Sequence, residues 1–196
     1  MFQSDNNPRK RRAGLFLAHI GLYPKFSAFV ATYTFCIEKL FELVSEGNET
    51  ADIVGVPLLF LMRHTLELGY KSSLVYLCER NSTIFDPKKK NGEGHSLEQL
   101  HKRLGLEYSQ ALKKGILPGF DQWFDDSYAI TEKGMRFFDK LDEGSTKLRF
   151  PNTNESPTFD RNNPVNLLDA KNVFDDAMTL FTTMADVIAE DESRHG

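Results

Sequence analysis

Four ionisable residues crowd into Pro57-Leu-Leu-Phe-Leu-Met-Arg63-His64-Thr-Leu-Glu67-Leu-Gly-Tyr-Lys71, a stretch otherwise built from large apolar side chains. Arg63, Glu67 and Lys71 recur every four residues, the spacing that stacks side chains along one face of a helix. Charges on so apolar a helix are costly unless each is paired and hydrogen-bonded. Two further residues join them as candidates. His95 stands in Gly92-Glu-Gly94-His95-Ser96, just ahead of a helix start, and Arg149 stands in the extended-looking Leu148-Arg149-Phe150-Pro151. A histidine beside guanidinium groups can move protons while the cations hold a phosphodiester, which suffices for RNA cleavage without a metal. In that reading His64 and His95 carry protons, Arg63, Arg149 and Lys71 bind substrate, and Glu67 ties the network together. The competing reading is structural: an Arg63–Glu67–Lys71 ion ladder, a satisfied core histidine at 64 and a hydrogen bonder beside a helix cap at 95.

Other chemistries lack their residues. The five histidines, His19, His64, His95, His101 and His195, form no i,i+4 pair with a third ligand in reach, and Cys-x-x-Cys and His-Glu-x-x-His are both missing. No metal site or cofactor is predicted. There is no phosphate-binding Gly-x-x-x-x-Gly-Lys-Ser/Thr loop and no serine-hydrolase elbow.

The elements that must hold these residues are helical. From Phe26 to Val44 the apolar positions 26, 29, 30, 33, 36, 37, 40, 41 and 44 trace one broad helical face, which Gly47-Asn48 ends. Pro57 fits the first turn of the next helix, which runs to about Glu79 and is apolar nearly all round, as a central bundle helix is. A polar loop follows over Asn81–Glu93. Ser96-Leu-Glu-Gln99 is a capping box that starts a helix presenting Leu97, Leu100 and Leu104. Ile116–Phe124 reads as an aromatic connection, Tyr128–Leu141 as a helix, and Val165–Ala189 as a last helix with Leu168, Val173, Phe174, Ala177, Phe181, Met184 and Ile188 near one face. The prediction is an all-α bundle of four to five main helices with a short irregular or β-hairpin insertion near 147–160. Residues 1–12 read as a flexible basic segment and 13–196 as one domain.

Composition narrows the setting. The net charge of −4 divides unevenly: 14 Lys/Arg against 11 Asp/Glu over residues 1–103, and 10 against 17 over 104–196. A uniformly basic coat for nucleic acid is excluded, although Arg9–Arg12 and Lys88–Lys90 could form a local patch. No apolar run approaches the ~20 residues of a membrane span. Cys36 and Cys78 are isolated in predicted helices, which fits a reducing, cytoplasmic setting. The stripe of 26–44 and the aromatic run 116–124 together exceed what one small bundle can hide, so a homodimer is expected. A further protein partner could dock on Ile116, Leu117, Phe120, Trp123 and Phe124.

Taken in order, Phe60-Leu-x-Arg63-His64-x-x-Glu67-Leu-x-x-Lys71, then Gly94-His95-Ser-Leu97-x-x-Leu100, then Arg149-Phe150-Pro151 before a last helix resembles a group of prokaryotic HEPN-like helical proteins. The resemblance covers roughly residues 55–190. It implies a helical bundle, homodimerisation, and RNA cleavage or nucleotide binding in toxin–antitoxin and antiphage defence. The chain departs from the catalytic members in one respect: they carry Arg-x4–6-His late in the bundle, and here that motif is missing. The rival classes are a non-catalytic protein-interaction module and a bundle that binds a small anionic ligand.

Overall fold

The computed structural model describes residues 25–87, 94–116, 121–142, 147–149, 152–153, 156–157 and 162–195. The expected flexible segment 1–12, the basic runs Arg9–Arg12 and Lys88–Lys90, and Leu117 and Phe120 lie outside them. Among the described residues there are five helices: α1 Phe26–Ser45, α2 Ala51–Asn81, α3 Leu97–Lys113, α4 Asp121–Leu141 and α5 Leu167–His195. Between α4 and α5 two two-residue strands, β1 Asn152–Thr153 and β2 Ser156–Pro157, pair antiparallel, Asn152 with Pro157 and Thr153 with Ser156. The all-α bundle and its small hairpin insertion are therefore as expected.

Helix α2 is the axis of the bundle. It packs against α1, α3 and α5, while α4 closes the far side through α3 and α5. Leu58, Met62, Leu66, Tyr70, Leu74 and Leu77 are fully enclosed, because a helix that is apolar on every face can only be satisfied from several sides. Two glycines set how close the helices come. A Cβ at Gly69 would lie 2.6 Å from the Phe181 ring of α5, and one at Gly134 of α4 would lie 2.6 Å from the Ala177 Cβ. Neither position has room for a side chain.

The helix ends follow their local chemistry. At Gly47 (φ +73°) the Asn48 amide donates to the Leu43 carbonyl and the Gly47 amide to the Val44 carbonyl, a left-handed cap that only glycine adopts without strain. At the head of α3 the Ser96 hydroxyl accepts from the Gln99 amide at 3.3 Å, the capping half of the motif read from sequence.

Several boundaries and faces differ from expectation. Helix α2 begins at Ala51, so Pro57 sits inside it rather than in its first turn. The carbonyl left without a donor there belongs to Ile53, which is exposed to solvent. Helix α4 begins at Asp121, seven residues before the expected start, and absorbs Trp123 and Phe124. Phe124 is buried with its ring stacked on Tyr108, and Trp123 and Ile116 pack against the core. Of the surface expected to receive a partner, Phe124 is thus core, and Ile116 and Trp123 are half-buried against it. Lys147–Arg149 form a turn rather than a strand, held by the Asp142 carboxylate, which accepts from the Lys147 and Leu148 amides. Leu168 is exposed, one position off the core face of α5. Helix α1 buries only Ile37 completely, with Val30, Leu40 and Phe41 half-buried against the core.

Candidate functional site

Arg63, Glu67 and Lys71 do share a face of α2, and the face is sealed: they are 1%, 1% and 5% exposed. Glu67 is the hub. Its Oε1 accepts from Lys71 Nζ at 2.7 Å and from His95 Nδ1 at 2.9 Å, and its Oε2 faces Arg63 Nη1 at 3.4 Å. Arg63 Nη2 also donates to the His95 carbonyl at 2.8 Å, so α2 grips the residue that leads into α3 by both backbone and side chain. Burial pushes the Glu67 carboxyl up, but the Lys71 ammonium and the His95 ring more than offset this and hold it below the usual carboxylate range.

Two carboxylates complete the cluster. Asp139 Oδ1 lies 3.7 Å from Arg63 Nη2, and Asp142 Oδ2 lies 3.6 Å from Arg63 Nε. Asp139 also accepts from the Glu98 amide at 3.0 Å, placing a negative charge on the N-terminal end of α3. Burial, the largest influence on it, raises the Asp139 carboxyl above its ordinary range despite that amide and Arg63. The sequence did carry a signal for both residues. Asp139 and Asp142 flank the C-terminal end of α4, where the helix dipole disfavours acids, so each needs a donor or cation from elsewhere. Asp139 finds them on α2 and α3, and Asp142 finds Arg63 on α2 and the Lys147 and Leu148 amides of the following turn.

The six residues singled out in the sequence separate into three places. Arg63, Glu67, Lys71 and His95 converge. His64 lies on the α1 side of α2, stacked on Phe60 (ring planes 6° apart) and edge-on to Tyr33. Desolvation there lowers its basicity; the charge of Glu67 works against that, and those of Lys71 and Arg63 with it. Adjacent residues on a helix point ~100° apart, which is why Arg63 and His64 serve different interfaces. Arg149 is exposed, one residue past Leu148, whose amide is held by Asp142.

Three carboxylates and two cations thus meet in the interior, and an imidazolium at 95 would bring the group to neutrality. Both cations are already engaged, so this cluster offers no ready anion hole. What it presents to solvent is the His95 side chain, 60% exposed while its carboxylate partner is 2% exposed. An ionised carboxylate can only accept, so Nδ1 carries the proton in this bond, and Nε2 is the ring nitrogen that Glu67 does not engage. Among the described residues no group of three or more His, Cys, Asp or Glu side chains is arranged to hold a metal ion, and no helix is long and apolar enough to cross a membrane. Set against protein-family models, curated proteins and solved structures, the chain has no match. Its chemistry is therefore read from its own side chains.

Proposed function

We propose that this is a HEPN-like helical protein of a bacterial defence or stress system that binds RNA and cleaves it without a metal, with His95 as the proton carrier. The observation that supports this is the Glu67–His95 pair: a buried carboxylate engages Nδ1 of an imidazole whose side chain is largely exposed. Arg63 and Lys71 hold Glu67 ionised and in place rather than touching substrate, which narrows their role from the one the sequence suggests. His64, packed between aromatic rings, is a structural residue in this reading. The reaction needs one base: Nε2 takes the ribose 2′-hydroxyl proton as that oxygen attacks the adjacent phosphorus, and the departing 5′ oxygen is protonated from water. His95→Ala should lower cleavage in the presence of a chelator by about 10²–10⁴-fold while the fold holds. Equal cleavage by the variant would remove His95 from the chemistry.

The burial and ion pairing of both cations favour a second reading, a non-catalytic interaction module whose ion cluster fixes how α2, α3 and α4 meet. The two separate on one measurement: in that case wild-type protein leaves RNA intact at every concentration. In either reading we propose a second copy over α1. Phe26–Ile37 contains no charged residue, yet Phe29 and Phe35 of that run are 43% and 63% exposed. So apolar a helix face is unusual unless covered.

A further inference from the structure

An open cleft runs between the segment that follows α2 and the outer face of α3. After α2 ends, the chain turns back along α3: Thr83 Oγ1 donates to Glu107 Oε2 at 2.9 Å. Ile84, Phe85 and Asp86 then face the Gln99–Leu106 stretch of α3 across a space of about 560 Å³. That volume falls in the ~300–1,000 Å³ range of small-ligand sites, enough for a nucleotide or two and far too little for a duplex. The walls are unusually bare. Ile84 is 92% exposed and Leu106 62%, with Phe85 half-buried between.

Two cations border these apolar walls. Lys102 is paired with Glu98 at 2.5 Å, but both are more than half exposed, so water screens the pair and either partner can exchange. Arg103 lies 2.6 Å from Glu107 through Nη2; its Nε is buried, so what it offers the cleft is the exposed part of a side chain that is 42% exposed. Asp86 is the single carboxylate on the described lining. Along the chain, Gln99 of the cleft lining is four residues past His95. Apolar faces interleaved with cations match what a single-stranded polynucleotide needs: surfaces for base faces and charges for phosphates.

We propose that this cleft holds single-stranded RNA, with bases against Ile84, Phe85 and Leu106 and phosphates on Lys102 and Arg103. The further statement that the strand leads to His95 rests on the reading of that residue as the proton carrier. The test is fluorescence anisotropy of a short labelled single-stranded RNA with the full chain, comparing wild type with Lys102→Glu and Leu106→Glu. Both side chains are exposed, so thermal unfolding should show both variants folded. Each should weaken binding by about tenfold, and where cleavage is measured KM should rise while kcat holds. Unchanged affinity in both variants overturns the proposal, as does equal binding of duplex RNA. A wild type that ignores RNA but binds an acidic amphipathic peptide also overturns it, and makes the cleft a protein groove. Cleft-dependent binding without cleavage upholds the cleft and removes the catalytic reading. Cleavage with unaltered KM in both variants does the reverse.

Discussion

Removing Glu67 is the sharpest test of how the centre of this bundle is held. Its carboxylate accepts from Lys71 and His95 and faces Arg63, all within 3.4 Å. Glu67→Ala deletes all three interactions but does not affect the two cations equally. Arg63 keeps Asp139, Asp142 and the His95 carbonyl. Lys71, 5% exposed, has its ion pair with Glu67 alone among the described residues. Breaking a buried pair by removing one partner costs about 3–5 kcal/mol, because the surviving charge stays out of water. At ~2–4 °C per kcal/mol for a chain of this size, that lowers Tm by roughly 6–20 °C. Urea unfolding followed by circular dichroism near neutral pH gives the free energy directly. The companion variant Glu67→Leu/Lys71→Met removes both charges and should recover most of the loss. A loss under ~1 kcal/mol, or a double variant no better than the single one, would refute the picture of a sealed, charge-dependent hub.

Other expectations follow from separate parts of the molecule. His95→Ala takes one donor from the buried Glu67 carboxylate, which keeps Lys71, and should cost about 1–3 kcal/mol; a larger loss would recast His95 as part of the scaffold. Gly134→Ala forces a methyl group against Ala177 and should destabilise by about 1–3 kcal/mol by denaturant unfolding, and a neutral result would mean that α4 and α5 can part freely. His101 is buried, its Nδ1 2.9 Å from the Tyr70 hydroxyl, and desolvation takes it from its ordinary 6.5 to about 4. The folded state therefore resists a proton that the unfolded chain accepts. Its contribution is fully present above pH 6.5 and is lost as pH falls towards 4, about 3 kcal/mol at most. His101→Gln should flatten that acid-side slope in urea titrations, and an unchanged slope would place the titrating group elsewhere. Sedimentation should show a dimer at micromolar protein that Phe35→Glu converts to monomer; a wild-type monomer would remove the second copy from α1.

Much of the architecture is legible from local patterns alone. The period of apolar residues and the Ser96 cap mark α1, α2 and α3 to within a few residues, except where Pro57 invites a late start for α2. An internal proline is tolerated there because the carbonyl that it orphans belongs to an exposed residue. Local patterns fail over 116–128. There an aromatic-rich run looks like a sticky connection, yet Phe124 is core because Tyr108 of α3 comes to meet its ring. No window of sequence contains that encounter.

The same division runs through the candidate site. The i,i+4 spacing of Arg63, Glu67 and Lys71 dictates a shared face on any helix, and the apolar residues around them dictate that the face is buried. The sequence by itself determines that much. Lys71 is satisfied by Glu67 on its own helix, but which further partners Glu67 and Arg63 find is decided only in the tertiary structure, because those partners lie outside α2. His95 arrives from the lead-in to α3, 28 residues away along the chain from Glu67, and Asp139 and Asp142 arrive from the end of α4. His64 shows the converse. It is as close to Arg63 in sequence as a residue can be, yet the ~100° turn per residue carries it to the α1 interface, where aromatic rings rather than carboxylates receive it.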